Sequence, residues 1–275
     1  MVMPMTANVS SSWVEPLDQW EAWMRAADRP VTTRYLRDYQ MRRFAAEAGC
    51  HPWDVTTDEL VAWLGGQEWA TETRRSYRAA LRSFYGWAHT SGRMSHNPAG
   101  LLPPIKPPVR LPRPTPETIL AAALLVADQR VQLMVLLAAR EGLRRSEIAQ
   151  VHTRDLEQDL LGWSLHVHGK GAKERMVPLS EHVRVLLSSA PEGFLFPGRI
   201  EGHLSPAHVG KLVSKVLGVG WTAHTLRHRF ATVAYAGERD LFAVQRLLGH
   251  SKPETTQLYV LIPDASLRAA VEWAA

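Results

Sequence analysis

Leu101-Leu-Pro-Pro-Ile-Lys-Pro-Pro-Val-Arg-Leu-Pro-Arg-Pro-Thr-Pro116 divides the chain in two. Eight of the 18 prolines fall between Pro98 and Pro116. Proline fixes φ and lacks an amide donor, so this stretch can be neither helix nor central strand. It reads as an extended, semi-rigid connector over residues 101–116. It carries three basic side chains, Lys106 among them, and no acid. That composition suits a linker lying along a phosphate backbone, and it equally suits a solvated linker kept soluble by Lys and Arg.

N-terminal to the connector the pattern is helical. Residues 1–12 carry no periodic signal and read as a disordered start. Trp13, Leu17, Trp20 and Met24 recur at helical spacing. A second helix runs from Thr33 to Ala48, closed by Gly49 as a C-cap. Thr56-Thr-Asp-Glu59 fits a capping box opening a short helix through Leu64. The fourth helix spans Thr71 to Thr90. On it Arg74, Arg78 and Arg82 share one face, while Tyr77, Leu81, Phe84 and Trp87 occupy another. Taken alone, the arginine stripe is the ordinary solvated face of a helix packed on a core. Residues 13–100 therefore form a four-helix domain.

C-terminal to the connector, Pro116–Ala127 and Val131–Arg140 read as helices, and a short one begins near Ser146. The period then changes. Trp163, Leu165 and Val167 alternate with Ser164, His166 and His168, as in a half-buried strand. Gly169-Lys-Gly-Ala172 is a turn, and Arg175–Leu179 is a return strand. Helices resume from Ser180, with Ser205 as an N-cap and further segments at His224–Tyr235, Asp240–Leu248, Pro253–Tyr259 and Pro263–Trp273. Residues 117–275 form a mostly helical domain with one small antiparallel sheet. The fold class is mainly α.

Composition excludes several classes. The 275 residues are 45% hydrophobic and 21% charged, the balance of a globular chain. The single cysteine, Cys50, allows no internal disulfide or Cys-x-x-Cys zinc knuckle. No apolar run approaches the roughly 18 residues of a spanning helix, and Met1 to Ser12 lacks the features of a signal peptide. The expectation is a cytoplasmic protein. Net charge is +5, yet 11 basic and 11 acidic residues balance between Trp13 and Gly100, and 18 face 16 beyond the connector. A nucleic-acid partner must therefore be argued from local patches.

Familiar chemistries fail on spacing. Gly169-Lys170-Gly171 has no glycine five positions upstream and no Ser or Thr after the lysine, so it is no P-loop. His224 and His228 have the i, i+4 spacing of a zinc protease, but Thr225 stands where that motif needs glutamate. His166 and His168 share a strand face with no third ligand nearby, so they read as surface or packing histidines. No metal and no cofactor are expected. What remains is Arg144, Lys170, His224, Arg227, His250 and Tyr259. Two arginines, a lysine and two histidines can grip a phosphate and move protons around it.

These residues lie in boxes that occur in a familiar order. Gly142-Leu-Arg-Arg-Ser-Glu147, His168-Gly-Lys-Gly-Ala-Lys-Glu-Arg-Met-Val-Pro-Leu179, His224-Thr-Leu-Arg-His228, Leu247-Leu-Gly-His-Ser251 and Thr255-Thr-Gln-Leu-Tyr259 resemble the motifs of the tyrosine recombinase (phage integrase) family. The resemblance covers about 95% of the chain. It implies a site-specific DNA recombinase in which Tyr259 attacks the scissile phosphodiester and forms a 3′-phosphotyrosyl link. Arg144 and Arg227 would hold the non-bridging oxygens, and Lys170, rather than its neighbour Lys173, would protonate the leaving 5′-oxygen. His224 would assist proton removal from Tyr259, and His250 would donate to a phosphate oxygen. Glu147 would orient Arg144, and His228 would support the site or simply pack.

The resemblance also implies a helical core-type DNA-binding domain and a catalytic domain clamped around double-stranded DNA at short core-type attachment sites. Arg74, Arg78, Arg82, Lys106, Lys211 and Lys215 are the candidates for DNA contacts. A C-terminal helix would dock on a neighbouring protomer, building a tetramer on two DNA sites, and an accessory directionality factor would be compatible. An arm-site module of the kind larger integrases carry is not expected. Integration or excision of phage or mobile-element DNA is the first expectation. A Xer-type resolvase of chromosome dimers and a catalytically silent DNA-binding regulator are the alternatives.

Overall fold

In a computed structural model of the chain, the described residues are 9–108, 111–169 and 174–249, except the side chain of Asp159. Two compact units appear, Met1–Val109 and Arg110–Ala275. Lys170, Lys173, His250 and Tyr259 lie outside the described residues, as do the helices expected at 253–259 and 263–273.

The first unit holds helices α1 (Ser11–Ala26), α2 (Val31–Ala48), α3 (Thr57–Gly65) and α4 (Thr71–Thr90). Trp13, Leu17, Trp20 and Met24 are all buried, as their spacing requires. Helix α2 stops at Gly49, whose φ of 66° lies in the left-handed region. Thr56 and Glu59 form the expected capping box. Thr56 Oγ1 accepts from the Glu59 amide at 3.3 Å, and a Glu59 carboxylate oxygen accepts from the Thr56 amide at 2.7 Å. The core is aromatic. Phe84 on α4 packs edge-on against Trp20 and Tyr85 and stacks on Trp13 and Trp53.

Around the second unit's core lie α5 (Glu117–Val126), α6 (Gln129–Ala139), α7 (Arg145–Gln150), α8 (Glu181–Ser188), α9 (Pro206–Leu217), α10 (Ala223–Glu238) and α11 (Leu241–Leu248). Asp128 caps α6 by accepting from the Val131 amide at 2.8 Å. Every residue from Met134 to Ala139 is buried, so α6 is the central helix.

The sheet has three strands rather than two. β1 (Leu156–Asp159) pairs antiparallel with β2 (Gly162–His168), which pairs antiparallel with β3 (Glu174–Pro178). β1 is short and has one apolar residue, so it offers no alternation to read. A further short strand, β4 (Pro197–Ile200), also escaped the periodicity. On β2, Leu165 and Val167 face the core as expected, and Ser164 is buried as well.

Both ends of the proline-rich connector are held within their own units. Arg78 donates to the Leu102 carbonyl at 2.6 Å and Arg82 to that of Gly100 at 2.9 Å. At the other end the Thr115 amide donates to the Thr225 carbonyl at 3.1 Å, and the two threonine hydroxyls lie 2.8 Å apart. Arg113 stacks over Trp221, with its guanidinium carbon 4.5 Å from the ring centroid. Among the described residues no helix is long and apolar enough to cross a membrane.

Candidate active site

Arg144 precedes α7, on a turn that Gly142 makes possible. Gly142 has a φ of 66°, and an added Cβ there would run into the Phe230 ring. The turn brings Arg144 beside Glu147, one helical turn further on. Arg144 Nη1 donates to Glu147 Oε1 at 2.7 Å, and the Arg144 amide donates to Oε2 at 2.8 Å.

Glu147 is the centre of a larger network. Its side chain is 2% exposed. Arg175 on β3 donates to it through both terminal nitrogens, at 2.9 and 2.8 Å. Arg227 Nη1 on α10 lies 3.8 Å away. Burial alone would raise the pKa of this carboxyl. Bidentate bonding to Arg175, with the Arg144 amide and guanidinium, outweighs burial and holds it at about 2.

Arg175 also donates through Nε to the Leu247 carbonyl at 2.7 Å. One side chain thus joins the strand after the lysine turn, the first arginine box and the end of α11. In the sequence Arg175 lies within the box of the lysine turn, with nothing local to mark this role. Its signal is weak because its partners lie 28 and 72 residues away.

Arg227 is 1% exposed in its side chain. Its Nη1 donates to the Gly142 carbonyl and its Nη2 to that of Leu248, each at 2.5 Å. It therefore organises two loops as well as facing the cleft. His224 sits in the first turn of α10, and its ring lies edge-on to His228 at 4.6 Å between centroids. His228 Nδ1 accepts from the Arg113 amide at 3.3 Å, so that nitrogen carries no proton. Burial first, then the nearby His224 and Arg227, lower its pKa to about 4. The bond to the Arg113 amide ties α10 to the connector.

A cleft of about 670 Å³ is lined by Arg144, Arg227, His224, Lys211 and, unanticipated from sequence, Arg145. Lys215, one turn along α9 from Lys211, is exposed and does not line it. Arg144, His224 and Arg227 come from two helix starts and one buried helix turn, and they open on one space. Several cations around one open cleft suit an anion of phosphate type.

The stripe on α4 differs from an open cationic face. Arg74 donates to the Gln67 carbonyl at 3.0 Å, while Arg78 and Arg82 hold residues 99–102. Burial and the Arg82 charge lower the pKa of Arg78. Lys106 is exposed in the connector. On β2, strand pairing sets Glu174 opposite His168, within reach of both histidines.

A model of the phage integrase family matches residues 113–264. Tyrosine recombinase XerC of Pseudomonas fluorescens is 32% identical, over 94% of this chain and 95% of the relative. Tyrosine recombinase XerD of Caulobacter vibrioides is 30% identical over 95% of each. Among solved structures, a lambda integrase dimer bound to a COC′ core site matches with a TM-score of 0.73 at 20% identity, over 89% of this chain and 94% of that one. The XerH site-specific recombinase bound to a palindromic difH substrate matches at 0.72 and 20% identity, over 99% of this chain and 91% of that one. The structural likeness speaks for the fold, while the family match and the near full-length likeness to XerC and XerD speak for descent: the chain belongs to the phage integrase family of tyrosine recombinases.

Proposed function

We propose that this chain is a site-specific recombinase that cleaves and rejoins double-stranded DNA through Tyr259. The observation that carries the reading is the common cleft of Arg144, His224 and Arg227, organised by Glu147. The Tyr259 oxygen attacks the scissile phosphorus, and the bond to the 5′-oxygen breaks. The tyrosine proton leaves with help from His224, because a phenol of pKa near 10 is mostly neutral at pH 7. Lys170 gives a proton to the departing 5′-oxygen. Arg144, Arg227 and His250 meet the charge that grows on the non-bridging oxygens in the pentacoordinate transition state. One phosphodiester is exchanged for another, so bond energy is conserved and no nucleotide cofactor is consumed. A 5′-hydroxyl from a second DNA end reverses the sequence and seals the strand.

Lys211, Lys215 and the outward edges of Arg74, Arg78 and Arg82 contact DNA phosphates in this reading, and Lys106 follows the backbone along the connector. Four protomers assemble on two DNA sites through the C-terminal segment, and recombination takes place in the cytoplasm. The near full-length likeness to XerC and XerD favours a second reading of the biological task, resolution of chromosome dimers rather than integration of mobile DNA. Covalent trapping tests both. The protein is incubated with nicked fragments from its own genomic neighbourhood, denatured, and the attached DNA is recovered. A Tyr259-dependent adduct is expected, absent in Tyr259→Phe, and the trapped sequence separates an attachment site from a chromosomal one. Specific binding with no adduct would favour a silent DNA-binding protein.

A further inference from the structure

His166 and His168 flank the buried Val167 on β2, so both imidazoles leave the same, outward face of the strand. The register sets Glu174 directly across from His168 and diagonally across from His166. Glu174 Oε1 lies 3.3 Å from His168 Nδ1, and Oε2 lies 3.1 Å from His166 Nε2. One ligand atom from each of the three residues falls within 4.8 Å of the others. Around a tetrahedral zinc ion with bonds of about 2.0–2.1 Å, ligand atoms stand about 3.3 Å apart. Both contacts to Glu174 already have that spacing.

A second observation concerns the far side of His168. Its Nε2 lies 3.2 Å from Oδ1 of Asp155, whose side chain is 9% exposed. A carboxylate accepts, so Nε2 carries the hydrogen. In a neutral ring Nδ1 is then a lone pair facing a Glu174 oxygen. Two acceptors at that distance repel unless positive charge, a second ring proton or a bound cation, lies between them. A histidine that gives one nitrogen to a carboxylate and turns the other lone pair outward has the orientation of a metal ligand. The cluster holds two carboxylates and two imidazoles. Arg154 approaches Asp155 at 3.9 Å but is 72% exposed, so it offsets little of that charge.

We propose that His166, His168 and Glu174 bind a divalent transition ion of zinc type, with Asp155 orienting His168. The donor set of two imidazoles and one carboxylate suits zinc and its neighbours rather than calcium or magnesium. The site is separate from the phosphate cleft and takes no part in the strand exchange. It fastens β2 to β3 at the root of the segment that carries Lys170.

The tag-free full-length chain, stripped of metal, is titrated with Co²⁺ and followed by visible absorption. One equivalent should bind with the bands of a low-symmetry site, and Zn²⁺ should displace it. The His166→Gln/His168→Gln double variant should lose the bands, and Asp155→Asn should weaken binding about ten- to a hundredfold. Both rings and Glu174 are at least partly exposed, so circular dichroism of the metal-free double variant should match the parent. Absence of cobalt bands in the parent chain would overturn the proposal. So would an unchanged spectrum in the double variant, which would put the ion elsewhere, such as on His224 and His228. Histidine NMR showing both rings doubly protonated at pH 7 and unmoved by Zn²⁺ would mean that protons alone neutralise the cluster, and would also overturn it.

Discussion

Replacing Glu147 with glutamine keeps the shape of the side chain and removes the charge that Arg144, Arg175 and Arg227 share. The carboxyl titrates near 4.5 when free and at about 2 in the fold. A depressed carboxyl contributes stability above its unfolded pKa and loses it as pH falls through the folded value. Two and a half units correspond to about 3 kcal/mol at pH 7. Linkage reduces this to about 1.5 kcal/mol at pH 3. Removing one partner of a buried ion pair costs about 3–5 kcal/mol, which agrees with the first figure. The assay is amide hydrogen exchange of α6, buried at the centre of the second unit, in parent and Glu147→Gln proteins at both pH values. Comparing the two proteins at each pH cancels intrinsic exchange rates and all other carboxylates. At pH 7 the variant should exchange on the order of a hundredfold faster in α6, a factor that shrinks at least several-fold at pH 3. Exchange of α4 in the first unit should not change. A ratio that is the same at pH 3 as at pH 7 would refute the charge argument, and a ratio near one at pH 7 would refute the network itself.

Arg175→Lys keeps the charge but not the paired donors or the reach to Leu247, so covalent adduct formation should fall roughly tenfold or more while DNA affinity holds; equal adduct rates would remove Arg175 from the positioning of Arg144. The pKa of His228, lowered to about 4 in the fold, means that the unfolded chain takes up a proton that the folded one refuses between pH 6.5 and about 4. Stability should drop as pH falls through that window, and His228→Gln should flatten the slope in urea unfolding. Gly142→Ala combines a left-handed φ with a clash against Phe230, and should cost about 1–3 kcal/mol or more and lower Tm; an unchanged Tm would show that the turn can relax.

Local signals carried most of the fold into the sequence. The capping box at Thr56, the left-handed glycine after α2 and the buried stripe of α4 each depend on residues within one or two helical turns. The strand β1 did not announce itself, because Leu-Glu-Gln-Asp pairs through backbone groups that leave no side-chain pattern. The catalytic boxes were legible as motifs, whereas the carbonyls that Arg74, Arg78 and Arg82 hold leave no mark in the sequence. Arg175 and Glu174 were missed for one reason. Their roles depend on what pairing and packing bring across the sheet, and neighbours along the chain do not encode that. The bond between His228 and the Arg113 amide spans 115 residues and leaves no mark in the local sequence.

The burial of Arg227 has an evolutionary consequence. Its two terminal nitrogens hold the carbonyls of Gly142 and Leu248, and Glu147 offsets part of the charge beside it. A descendant that lost its nucleophile and survived as a DNA-binding protein would still need this arginine to fold. Selection for stability would retain the two arginine boxes long after selection for strand exchange had ended. In such lineages decay should begin at Tyr259 and Lys170 and reach Glu147, Arg175 and Arg227 last.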